Sequence, residues 1–292
     1  MKQRTRLLPS KTCMLLAVGM AAVGVCHAAK HAVPRDKVEV ELKGKDMNGS
    51  TLPAGWTALT FDTVTHAFKA DIKTPAGGWY TLSVRALKGD QEAATATVAH
   101  VGVGEVFVGA GQSNSTNCGG LGSKLPTDGR TTTVSGMVSS FNGTAWRLAN
   151  DPQWGPHDFA THKYGSFWPA FGDAMYAKFK VPVGVAVTGQ GSTAVAQWQK
   201  NAQGADAKTG LYAWTLTRMK QLGKNGFRAV LWHQGESDYG TTAQAYADGL
   251  GQIITDFRQD ADWAMPWFLA NASFCPGKPV VDTNSRSKNN CE

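Results

Sequence analysis

The chain has 292 residues, 42% hydrophobic, 10% aromatic and 17% charged. At roughly 150 residues per domain this gives room for two domains, or one large α/β domain with an appendage. It excludes a disordered chain, a collagen-like repeat and a charge-laced coiled coil. The formal charge of +7 is concentrated at the start of the chain, and without residues 1–29 the count is 25 basic against 22 acidic side chains. A net +3 offers no purchase to a polyanion, so no nucleic-acid partner is expected.

Lys2, Arg4, Arg6 and Lys11 precede an apolar run from Met14 to Val25, and Cys26-His27-Ala28 follows with small residues suited to cleavage. Residues 1–29 read as a secretory signal peptide, too short and wrongly flanked for a membrane span. The expected location is secreted or periplasmic. In such an oxidising compartment Cys118, Cys275 and Cys291 allow one disulfide and one leftover thiol, with the pair left open. No CxxC or Cys/His cluster occurs in the sequence, so neither a metal nor another cofactor is expected.

Residues 30–104 read as a small, β-sandwich-like antiparallel domain. Val38 to Leu42, Trp79 to Val84 and Thr95 to Ala99 alternate apolar and polar residues, with Asn48-Gly49 and Ala76-Gly77-Gly78 as turns. After Gly104 the period changes. Glu105–Gly109, Val183–Val187, Phe227–Trp232 and Pro266–Ala270 are short, almost continuously apolar runs, as strands buried on both faces of a parallel sheet require. Helical patterns at Trp168–Phe179, Leu211–Leu222 and Thr242 to about Asp260 alternate with them. Residues 105–282 are therefore expected to form a three-layer α/β sandwich around a parallel, flavodoxin-like sheet, and 283–292 a polar tail. The segment from Asn114 to Phe167 is a long connection of the kind that shapes a binding site, with a hairpin around Asn142-Gly143.

Ligands of such sheets sit beyond the carboxyl ends of the strands, so the residues just past each strand matter most. After the first comes Gly111-Gln112-Ser113-Asn114, a turn that lifts a serine above the sheet. After the second comes Thr188-Gly189-Gln190-Gly191-Ser192-Thr193-Ala194. It matches the G-x-G-x-x-A dinucleotide fingerprint in letters but lacks an immediate helix and the acid at the end of a nearby second strand. An exposed glycine amide there can instead meet a developing oxyanion. After the third comes Trp232-His233-Gln234-Gly235-Glu236-Ser237-Asp238, polar groups that must satisfy one another or a substrate.

Together these three motifs, with Gly165-Ser166-Phe167-Trp168-Pro169, resemble the sialate O-acetylesterases and carbohydrate esterase family 6 within the SGNH hydrolase superfamily. The likeness covers about residues 105–282. It implies an SGNH-type fold and hydrolysis of acetyl esters on a carbohydrate through an acyl-enzyme. Ser113 would be the nucleophile and Glu236 the supporting carboxylate. The Ser113 amide, Gly191 and the Gln234 side chain would bind the oxyanion, with Gln112 and Asn114 beside them.

The resembling enzymes carry their base histidine in a late Asp-x-x-His segment, which this sequence lacks. Three readings stand open: a shortened or frameshifted product without its base, a substitute histidine (His233, or His157 or His162 from the long loop), and a non-catalytic sugar-binding module. In the module Trp146, Trp154, Trp168 and Trp198 would stack on sugars.

Overall fold

The computed structural model describes residues 36–272 apart from 61, 63–67, 69–71, 121–129 and 203–209. The expected signal peptide and polar tail, with Cys275 and Cys291, lie outside the described residues.

The amino-terminal part is an antiparallel sheet of β1 (Lys37–Lys43), β2 (Thr57–Leu59), β3 (Gly77–Lys88) and β4 (Gln91–Val103), in the order β2-β1-β3-β4. Among the described residues it is a single sheet, packed around Tyr80, Val101 and Val103.

Only Gly104 separates β4 from β5 (Glu105–Gly111), the central strand of the second sheet. Its other strands are β6 (Val138–Phe141), β7 (Trp146–Leu148), β8 (Val183–Val187), β9 (Ala229–His233) and β10 (Trp267–Ala270). The order is β10-β9-β5-β8-β6-β7, parallel except for β7, which closes the expected hairpin antiparallel to β6.

Alternation along the buried strands sorts side chains onto two helix layers. Val106, Val108 and Ala110 of β5 join a core with Leu211, Met219, Ile253 and Phe257, from α2 (Leu211–Leu222) and α3 (Ala243–Asp260). Phe107 of β5 and Val183, Val185 and Val187 of β8 face the other way, onto α1 (Trp168–Phe179). Helices on both faces of a mostly parallel sheet make the three-layer α/β sandwich that the sequence predicts.

The strand order also locates the site. The chain leaves β5 toward β6 on one side and leaves β9 toward β10 on the other, yet β5 and β9 are neighbours. Their carboxyl ends form the switch point of the sheet, the place where sheets of this kind bind ligands. The Ser113 turn comes directly after β5, and the 234–238 segment directly after β9.

Candidate active site

Gly111 pairs with His233 across the two strands, and the Gln112 amide donates to the His233 carbonyl at 2.9 Å. The chain then turns through a single 3-10 turn, Ser113–Ser115. Ser113 is half-buried, and its hydroxyl has no hydrogen-bond partner among the described residues. The residues on either side of it are tied to the β9 end. Gln112 Oε1 accepts from the Gly235 and Ser237 amides at 3.3 and 3.1 Å and from Gln234 Nε2 at 3.2 Å. Asn114 Nδ2 donates to Glu236 Oε1 at 2.6 Å. The serine is thus bracketed by contacts to the 234–237 segment.

The turn rests on α1. The Trp168 indole nitrogen donates to the Ser115 carbonyl at 3.0 Å, and its ring fills the space over Gly109, where a Cβ would come within 2.2 Å of Trp168 Cζ2. The Gly165–Pro169 motif therefore reads as a support for the serine turn.

The 188–194 segment completes the rim. The Gln190 amide donates to the Gly111 carbonyl at 3.0 Å, and Gly189 lies against Ser115 and Thr116. Among the described residues a short 3-10 turn at Val195–Trp198 comes first after β8, and α2 opens only at Leu211, so the immediate helix of a dinucleotide fingerprint is not there. Gln234 Nε2 donates to the Thr193 carbonyl at 2.7 Å and to Asp238, whose carboxylate also accepts the Val195 amide at 3.0 Å. With its amide engaged and 2% of its surface exposed, Gln234 braces two loops, so it would meet an oxyanion only on release from these partners. The Gly191 amide likewise donates to Asp158 Oδ2 at 2.7 Å, so it meets an oxyanion only after that carboxylate releases it.

Glu236 is 8% exposed; beyond the Asn114 bond its Oε2 is buried without a hydrogen-bond partner. His233 Nδ1 is also buried without a partner and lies 3.7 Å from Glu236 Oε1. Leaving such a group unsatisfied costs about 1–3 kcal/mol, so each calls for a partner such as water, an ion or substrate. The other two candidate histidines sit on the 189–191 side. His157 Nδ1 is 2.6 Å from Gln190 Oε1, and His162 Nδ1 is 3.3 Å from Asp158 Oδ2. Burial pushes the Asp158 carboxyl up, against the pull of the Gly191 amide and His162.

Two supports carried no expected role. Tyr246 of α3 donates to the Gln234 carbonyl at 2.8 Å, and burial pushes its phenol up to about 12, so it stays a donor at neutral pH. Asp238 is 1% exposed and holds Gln234, Val195 and Thr241 together. A second acid two residues after Glu236 at a buried strand end was the readable signal, because a buried carboxylate must collect donors. Two of the four tryptophans expected to stack on sugars in a binding module are excluded. Trp168 and Trp198 are fully buried, while Trp146 stacks on Phe141 and Trp154 lies under Arg147.

A parallel sheet with a serine turn at its switch point, flanked by a glycine loop and an acid-bearing strand end, defines an α/β fold of the SGNH hydrolase type. A family model described as carbohydrate esterase, sialic acid-specific acetylesterase matches residues 103–290, well over half of the chain, and the chain belongs to that family. Among solved structures, a carbohydrate acetylesterase from Xanthomonas citri aligns with TM-score 0.50 and 18% identity over 82% of this chain and 54% of its own, a likeness of fold. A protein from Arabidopsis thaliana aligns at 21% identity and TM-score 0.46 over 59% of this chain and 76% of its own. A family two carbohydrate esterase from Clostridium thermocellum, solved with cellohexaose, aligns at 9% identity and TM-score 0.31 over 84% and 67%. No curated protein matches the chain. No helix among the described residues is long and apolar enough to cross a membrane.

Proposed function

We propose that the protein is an exported carbohydrate O-acetylesterase in which Ser113 is the nucleophile. The observation that carries this reading is the bracketing of an unbonded serine hydroxyl by Gln112 and Asn114, both tied to the strand end that bears Glu236. Ser113 Oγ attacks the acetyl carbonyl and the sugar alcohol leaves; water then hydrolyses the acetyl-serine. The Ser113 amide opens its turn, where no earlier carbonyl of the turn can claim it. It is the first donor to the oxyanion, and Gly191 joins when Asp158 lets go.

For the proton the reading uses His233 as base, with Glu236 as its carboxylate. An apo distance of 3.7 Å closes to hydrogen-bond length with a small shift, as catalytic contacts do on substrate binding. A chromogenic acetyl ester is expected to give a burst of chromophore and then slower turnover. Saccharide binding with no acetyl release would instead identify a non-catalytic module.

Glu236→Gln keeps the acceptor for Asn114 and removes the charge. It should lower turnover on the order of 10^4-fold with the fold intact, as replacing the supporting acid of a triad does. Turnover equal to wild type would take Glu236 out of the mechanism. His233→Asn should abolish turnover, and a variant within about tenfold of wild type would show that another group takes the proton.

A further inference from the structure

Three metal-ligating side chains meet beside the candidate site; none of them takes a proton or bonds to substrate in the proposed chemistry, and Asp158 enters it only as the acceptor of the Gly191 amide. Ligand atoms of Cys118, Asp158 and His162 all lie within 4.8 Å of one another. They converge over Gly191, where a Cβ would lie 3.2 Å from Asp158 Oδ2, 3.6 Å from Cys118 Sγ and 3.8 Å from His162 Cε1. Among the described residues Cys118 forms no disulfide, and its sulfur lies 3.3 Å from Thr116 Oγ1. Asp158 is 4% exposed, and its Oδ1 is buried with no hydrogen-bond partner.

A buried carboxylate oxygen without a partner, next to a thiol and an imidazole, has the donor chemistry of a cation site. We propose that Cys118, Asp158 and His162 bind one divalent transition-metal ion, zinc by its donor set, beside the 189–193 turn. One sulfur, one nitrogen and one oxygen are three of the four ligands of tetrahedral zinc, and the fourth position is left to water. Ligand atoms of such an ion are about 3.3–3.8 Å apart, so the trio needs to tighten by up to about 1.5 Å. On binding, the thiol proton passes to solvent and the sulfur binds as thiolate. Glycine at 191 leaves the space that the three donors point toward.

The test uses the untagged, reduced full chain with Cys13, Cys26, Cys275 and Cys291 replaced by serine, titrated with Co2+ alone and then with Zn2+. The expected result is one ion per chain, a thiolate-to-cobalt charge-transfer band, and displacement of that band by zinc. Cys118→Ser should lose the band. His162→Gln, at a partly exposed position, should weaken binding about tenfold or more. Zinc should raise the melting temperature of the parent and not of either variant. No saturable binding, or a charge-transfer band that persists in Cys118→Ser, would overturn the site. Either variant that melts like the metal-free parent and yet binds as tightly as the parent would do the same.

Discussion

Replacing Ser113 by alanine is expected to abolish the chromophore burst and to lower turnover on the order of a million-fold, the loss seen when a triad hydrolase loses its nucleophile. In barrier height that is about 8 kcal/mol. The same substitution should leave stability within about 0.5 kcal/mol of wild type, because the hydroxyl is half-buried and donates to no described residue. The two effects separate chemistry from folding, so burst amplitude and thermal unfolding are measured on one preparation. Retained turnover in a folded Ser113→Ala protein would remove the nucleophile from the proposed mechanism. Retained saccharide binding in the inactive variant would show that the pocket survives without the reaction.

Two residues earlier, Gly111→Ala is expected to have the largest effect on stability. Gly111 ends β5 with φ +124°, a backbone conformation that side-chain-bearing residues rarely adopt, and an added Cβ would lie 2.0 Å from the His233 carbonyl oxygen. Strain of about 1–3 kcal/mol from the backbone adds to about 1–3 kcal/mol from overpacking, a loss of roughly 2–6 kcal/mol in total. Because the Gln112 amide bonds that same carbonyl, the damage falls on the seam that brings Ser113 to Glu236. Denaturant unfolding should therefore show either failure to fold or a midpoint far below wild type. A loss under about 1 kcal/mol would mean that the β5–β9 seam yields where the structure holds it tight.

The fold was legible where the sequence carried both a period and its punctuation. Pro169 at the start of α1 and Gly223 after α2 bracket helices that run as the periodicity predicts, from Trp168 to Phe179 and from Leu211 to Leu222. The edge strand β2 escaped, since three residues paired on one side leave no alternation to read. β5 continues to Gly111, beyond the apolar run, because pairing with His233 of β9 extends it, and no local pattern encodes a partner 122 positions away. The motifs at the strand ends named the residues that meet at the rim, but not which atoms were already spoken for. Gln234 is buried against Thr193 and Asp238, and the Gly191 amide is held by Asp158. Both facts depend on contacts between segments that are tens of residues apart. The Cys118, Asp158 and His162 trio was hidden for the same reason: its members are spread over a long loop with no regular spacing.

The two neighbours of Ser113 differ sharply in tolerance. Gln112 is 3% exposed with its carbonyl oxygen taken by three donors, whereas Asn114 is exposed and bonds to a single carboxylate. A combinatorial library aimed at new acyl or sugar preference should therefore hold position 112 fixed and at position 114 admit only side chains that still donate to Glu236. Variation at the first would cost yield of folded protein, while variation within that limit at the second would reshape the rim beside Ser113.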